Sequence, residues 1–315
     1  MKPLRQAVQD YIALRRTLGF KLRDAESSLF KFVTYLEKRG VARITTATAL
    51  EWALDVPSTC SGSIANRLRH IRGFAQHHFG SDPTTEIPPV DVVPSRLRRR
   101  QPYLYSDDQL TRLMRCALTL EPADRLRPWT YYCFLGLLSA TGLRLSEAIR
   151  LEIDDVDLDL GVLSIRQTKF GKSRLVPVDD TTASQLASYR ARRDRFLHGS
   201  PQCRFFVSCR RTPLEPSSVH RTFYQLLDQA DVHAPVGAPR PRLHDLRHRF
   251  ALETLLRWYR SGEDVERRLP ALSTYLGHVC IENTYWYLSA SPELMGTHSR
   301  VSNSAGRSGH DNRRR

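Results

Sequence analysis

A chain of 315 residues with 41% hydrophobic and 26% charged side chains has the length for about two ordinary domains, each with its own core. That balance excludes a disordered chain, a collagen-like repeat and a membrane bundle. Its 48 Lys and Arg against 33 Asp and Glu leave a formal charge of +15 and a pI near 9.9, a field suited to phosphate backbones, with anionic membranes or acidic proteins as the other partners it would attract.

In chain order, the N-terminal part reads as helices. Leu4, Val8, Tyr11, Ile12 and Leu18 have helical spacing, closed by Gly19. Leu29, Phe30, Phe32, Val33 and Leu36 predict a second helix ending near Gly40. A third follows over Ala49 to Leu54, and a fourth through Ile64 to Ala75 from a Ser61 or Ser63 cap. The fourth carries Arg67, Arg69 and Arg72, which suit DNA contact and a solvated helix face equally well. The opening Met-Lys-Pro-Leu-Arg-Gln lacks a signal-peptide pattern, so a cytoplasmic chain is expected. Residues 1 to 90 are read as one helical domain.

Pro83, Pro88, Pro89 and Pro94 then break the helical rhythm and lead into Arg96, Arg98, Arg99 and Arg100. Residues 91 to 102 read as a basic interdomain linker whose arginines would track along a phosphate backbone. The second domain, 103 to 300, opens with the capping box Ser106-Asp107-Asp108-Gln109. The uncharged stretch Pro128 to Leu143, closed off by Arg127 and Arg144, falls short of the ~20 apolar residues that span a bilayer and predicts a buried core helix. Another helix begins around Leu145. Val162, Leu163 and Ile165, then Leu175, Val176 and Val178, predict strands on either side of a Lys169-Phe170-Gly171-Lys172 turn. Helical patterns return at 182 to 196, 217 to 230, 244 to 260 and 279 to 288. The composition of 301 to 315 predicts a disordered basic tail. The expected fold class is mainly α with a small antiparallel β-sheet, an α+β chain in two domains.

Cys60, Cys116, Cys133, Cys203, Cys209 and Cys280 form no CxxC pair, so reduced, mostly buried thiols are expected instead of a disulfide scaffold or zinc ribbon. His244-Asp245-Leu246-Arg247-His248 imitates a zinc-protease helix. Against that, Asp245 is shorter than the usual Glu, Arg247 and Arg249 would repel a dication, and no third ligand is evident. Gly171-Lys172-Ser173 likewise falls short of a phosphate-binding loop, because Arg166 stands where the first Gly is required. No metal and no other cofactor is expected.

Four segments hold the chemistry: Thr141-Gly142-Leu143-Arg144-Leu145-Ser146-Glu147, Lys169 with Lys172, His244-Asp245-Leu246-Arg247, and Leu276-Gly277-His278 followed by Tyr287. This ordered set resembles the tyrosine recombinase (phage integrase) family, which has an Arg with a Glu three residues on, a hairpin Lys, His-x-x-Arg, Leu-Gly-His and then a Tyr nucleophile. The likeness covers about residues 103 to 296 well; residues 1 to 90 resemble the family's core-binding domain in architecture and position only. The segment from Leu255 to Pro270, with Arg257, Arg260, Arg267 and Arg268, reads as longer than the family's usual connection, either an added contact or a surface insertion.

The chemistry asks for these residue types. Displacement at a phosphodiester spreads charge over the phosphoryl oxygens, so fixed cationic donors give the main stabilisation. Arg144 and Arg247 each offer a planar fork for nonbridging oxygens. Tyr287 would be the nucleophile, with Tyr285 as the rival if the register slips. The covalent phosphotyrosine conserves bond energy for rejoining. Lys169, with Lys172 as its rival, would protonate the departing 5′ oxygen. His244 would handle the tyrosine proton, His278 would hydrogen-bond a phosphoryl oxygen, and Glu147 would orient its neighbours.

The resemblance implies a two-domain clamp on double-stranded DNA, a homo- or hetero-tetramer with accessory recombinases as possible partners, no membrane, and a nucleoid-associated place in the cytoplasm. It implies a site-specific recombinase that integrates, excises or resolves a mobile element. A non-cleaving DNA-binding partner of related recombinases and a type IB topoisomerase are the alternatives.

Overall fold

The computed structural model describes residues 3–55, 61–90, 92–93, 101–122, 125–166 and 173–290. Lys169, Lys172, the arginines at 96, 98, 99 and 100, Cys60 and the 301–315 tail lie outside the described residues. The chain divides into two compact units, Met1–Arg100 and Gln101–Arg315.

The first unit holds four helices, α1 (Leu4–Thr17), α2 (Arg23–Lys38), α3 (Thr46–Leu54) and α4 (Ser61–Phe79). Each turns one apolar stripe inward, as its spacing requires. Val8, Ile12, Leu29, Phe32, Leu36, Trp52, Ile71 and Phe74 make the core, each large side chain contributing about 1.5–3 kcal/mol of burial. The α3 start is fixed by Thr45 and Thr48, whose hydroxyls each accept the other's backbone N–H at 3.1 Å.

In the second unit the Ser106–Gln109 capping box forms as the sequence predicts, with Gln109 N donating to Ser106 Oγ and Ser106 N to Gln109 Oε1. It starts α5 (Asp107–Leu118). The next helix, α6 (Arg127–Thr141), buries residues on every side, among them Phe134, Leu135, Leu137 and Leu138. It is the axis of the unit and ends at Gly142, whose φ of +60° suits a residue without Cβ. The short α7 (Leu145–Arg150) follows, then a single 3-10 turn and strands β1 (Val156–Asp157), β2 (Val162–Ile165) and β3 (Arg174–Pro177). They form an antiparallel sheet in the order β1-β2-β3, with Leu163 opposite Val176. Helices α8 (Asp180–Leu197), α9 (Pro216–Gln229), α10 (Asp245–Arg260), α11 (Val265–Leu276) and α12 (Glu282–Ala290) complete the described chain.

Two expectations need correction. Residues 255–270 are no surface insertion: α10 continues to Arg260, a turn at Gly262 reverses the chain, and α11 begins under an Asp264 cap. Leu255 and Leu269 are fully buried there, in a small core shared by α10, α11 and α12. Pro270 hid this helix from the sequence, since an interior proline forfeits a backbone bond. The thiols are not mostly buried either. Of the described cysteines only Cys133 is buried, because it alone lies within the central helix; Cys203 and Cys280 sit exposed in loops. No described helix is long and apolar enough to cross a membrane.

Candidate active site

The three motif segments among the described residues converge where α6 and α11 end and α7 and α10 begin. Arg144 is the residue before α7, and Glu147 reaches back to it: Arg144 N donates to Glu147 Oε2 at 3.0 Å and Arg144 Nη1 to Oε1 at 2.8 Å. The remaining Nη2 of Arg144 donates to the Gly277 carbonyl at 2.8 Å. Arg247, 2% exposed in the first turn of α10, donates Nη1 to the Gly142 carbonyl and Nη2 to the Leu276 carbonyl, both at 2.7 Å. Both guanidiniums are thus aimed by the carbonyl ends of other helices, and Arg247 takes backbone carbonyls, not carboxylates, as its partners.

Glu147 is held from a second side. Arg174 on β3 donates Nη2 to Glu147 Oε2 at 2.8 Å and Nε to the Tyr275 carbonyl at 2.7 Å. Burial disfavours the Glu147 carboxylate, but the Arg174 and Arg144 bonds outweigh it and bring its pKa down to about 2. Arg247 is pushed the other way: burial first, then the nearby Arg144 cation, lower it to about 10, so it remains charged at neutral pH.

Three histidines ring these cations. His244, open to solvent on one edge, precedes α10; surrounding protein mass and then Arg247 hold its pKa down to about 4. His278 has its Nδ1 2.8 Å from Thr284 Oγ1, which leaves Nε2 for another partner. Burial, Arg247 and Arg144 lower it to about 3. His248 packs edge-on against His244, ring centroids 4.8 Å apart. Its Nδ1 lies 3.0 Å from the Tyr287 hydroxyl, and burial followed by His244 lowers it to about 4. Groups that suppress one another's positive charge in this way lie close enough together to favour an anion among them.

Tyr287 is 2% exposed on α12, between Trp286 and the His278 ring, whereas Tyr285 is 45% exposed. With that arrangement fixed, the chain's relatives can be set beside it. Residues 104–293 match the model of the phage integrase family. The chain belongs to that family. The protein y4rB of Sinorhizobium fredii, whose name carries the words integrase/recombinase, is 47% identical over 299 residues, covering 94% of this chain and 95% of the relative. Tyrosine recombinase XerD of Caulobacter vibrioides is 27% identical over 278 residues, 87% of this chain and 80% of its own.

Among the solved structures that share this chain's fold are two integrases. The Tn1549 transposon integrase in complex with a circular intermediate DNA superposes with a TM-score of 0.64 at 16% identity, over 96% of this chain and 99% of that one. A lambda integrase tetramer bound to a Holliday junction gives 0.63 at 17%, over 90% and 76%. They share the mostly helical architecture with its small antiparallel sheet.

Of the residues singled out from sequence, Arg144, Glu147, His244, Arg247, His278 and Tyr287 are brought together. Arg67, Arg69 and Arg72 lie apart, in the first unit. Arg67 donates to the Trp52 and Ala53 carbonyls and stacks on the Trp52 ring, and Arg72 donates to the Pro88 and Pro89 carbonyls, so these two guanidiniums brace their own domain. Arg69 bonds Asn66 on the same helix. Sequence reasoning missed Arg174, His248 and Thr284 as members of the site. Arg174 is the one cation of its apolar strand, a signal that it needs a buried counter-ion; the sequence pattern offers His248 only as a metal ligand.

Proposed function

We propose that this chain is a site-specific DNA recombinase that cuts and rejoins strands through a 3′-phosphotyrosine on Tyr287, integrating, excising or resolving a mobile DNA element. The observation that carries the reading is the buried Tyr287 hydroxyl on a histidine nitrogen, within a cluster of two fixed guanidiniums and three histidines held neutral. Arg144 and Arg247 stabilise the charge that develops on the nonbridging oxygens, worth about 3–4 kcal/mol for a well-aimed donor. His278 Nε2 donates to one of those oxygens. Lys169 protonates the departing 5′ oxygen, and Glu147 keeps Arg144 and Arg174 in place.

Double-stranded DNA is the substrate in this reading, and a tetramer the working assembly, as in the junction-bound lambda integrase. The arginines of α4 and of the 96–100 run contribute nonspecific attraction to the backbone. The reading is tested with nicked duplexes from the flanks of the gene, incubated in EDTA and resolved on a denaturing gel. Wild type is expected to form a covalent adduct and Tyr287→Phe none. An adduct that persists in Tyr287→Phe moves the nucleophile, with Tyr285 next in line; tight binding without an adduct from wild type favours a non-cleaving accessory role.

A further inference from the structure

We propose that His248, rather than His244, is the general base of strand cleavage, taking the Tyr287 phenolic proton on Nδ1 as the tyrosine oxygen bonds to phosphorus. The inference rests on the cleavage reading above and assigns within it a role that the order of motifs alone does not give. His-x-x-Arg points to His244, yet the geometry points one helical turn further along α10. Nδ1 of His248 stands 3.0 Å from the Tyr287 hydroxyl, within the reach a base requires. Of the other histidines of the cluster, His244 packs against the edge of His248, and His278 turns its Nδ1 to Thr284.

The His248 ring is also the better fixed. It is packed between His244 on its own helix and Trp286 and Tyr287 on α12, with ring centroids 4.8, 5.5 and 5.5 Å away. Residues i and i+4 share a helix face, so His248 reaches Tyr287 from the same side on which His244 lies toward solvent. Arg247, between them in sequence, turns to the Gly142 and Leu276 carbonyls.

The proton count closes. The Tyr287 O–H bond breaks and its proton passes to the Nδ1 lone pair. The phenolate electron pair forms the O–P bond. The P–O5′ bond breaks, and its pair leaves on O5′ with a proton from the acid assigned to Lys169. Rejoining runs these steps in reverse and returns both protons. The ring is poised for this, since burial, His244, Arg242 and Arg247 keep it unprotonated at neutral pH against the opposing pull of Asp245. An arriving phosphodiester offsets the Arg242 and Arg247 cations and so strengthens the base when substrate is present.

The test uses the full chain with nicked duplexes from the gene's flanks in EDTA, reading the rate of covalent adduct formation. His248→Ala is expected to slow it roughly 10²–10³-fold, with imidazole in the buffer restoring part of the loss. His248→Asn, whose amide oxygen can accept the tyrosine hydrogen bond but not its proton, is expected to remain slow, with melting temperature and DNA affinity near wild type. A 5′-bridging phosphorothiolate, whose sulfur leaves without a proton, is expected to rescue Lys169→Ala and to leave His248→Ala slow. A wild-type rate in His248→Asn, or rescue of His248→Ala by the phosphorothiolate, overturns the assignment. An adduct that survives Tyr287→Phe instead overturns the cleavage reading beneath it.

Discussion

At the scale of single residues the site depends on one carboxylate. Glu147 is almost fully buried and serves the Arg144 backbone, the Arg144 guanidinium and Arg174 together. Removing one partner of such a pair leaves the other charge buried and unmatched, at a cost of about 3–5 kcal/mol. Glu147→Ala should lower unfolding free energy by that order in urea titrations at pH 7. The carboxyl's folded pKa of about 2 lies below the ordinary glutamate value of 4.5. Its contribution is therefore complete above about pH 4.5 and declines as pH falls toward 2. The gap between wild type and variant should narrow over that window, and a gap that widens on acidification would contradict the assignment. Sequence legibility at this scale split by distance. Arg144 and Glu147 were readable because they sit three residues apart; Arg174, 27 residues from Glu147, and His248, 39 from Tyr287, act across the fold, and spacing says nothing of such pairs.

Among the elements, α6 was the most legible, since a helix buried on all sides must be apolar on all sides. The two-residue β1 gave no pattern to read, and α11 was masked by Pro270 and by the charges of its first turns. What α6 contributes to chemistry is its last turn. An added Cβ at Gly142 would meet Phe250 Cδ1 at 2.7 Å, on a backbone with φ of +60°. Gly142→Ala should therefore cost roughly 1–2 kcal/mol from the backbone alone and shift the carbonyl that seats Arg247. The expected outcome is a lower melting temperature together with slower adduct formation at near-normal DNA affinity. Equal loss of affinity and rate would mean that the helix end acts on binding and not on the arginine.

For the whole molecule, the surplus of +15 predicts how DNA binding responds to salt. Each neutralised phosphate releases counter-ions, so six to ten contacts reduce affinity by about 10³–10⁵ between 50 and 200 mM salt. Fluorescence-anisotropy titrations over that range should show a steep linear dependence on a logarithmic plot; a flat response would remove the phosphate backbone as the main partner. Prolines and arginines interrupt the apolar periodicity in the sequence near the boundary between the two compact units at Arg100 and Gln101. The seats of the arginines were not legible, and they have a consequence for mutagenesis. Arg247 and Arg144 rest on the carbonyls of residues 142, 276 and 277, and a backbone oxygen belongs to every amino acid alike. No point substitution deletes such an acceptor; it can only displace it. A side-chain scan across this site would score the guanidiniums and leave out the peptide groups that aim them.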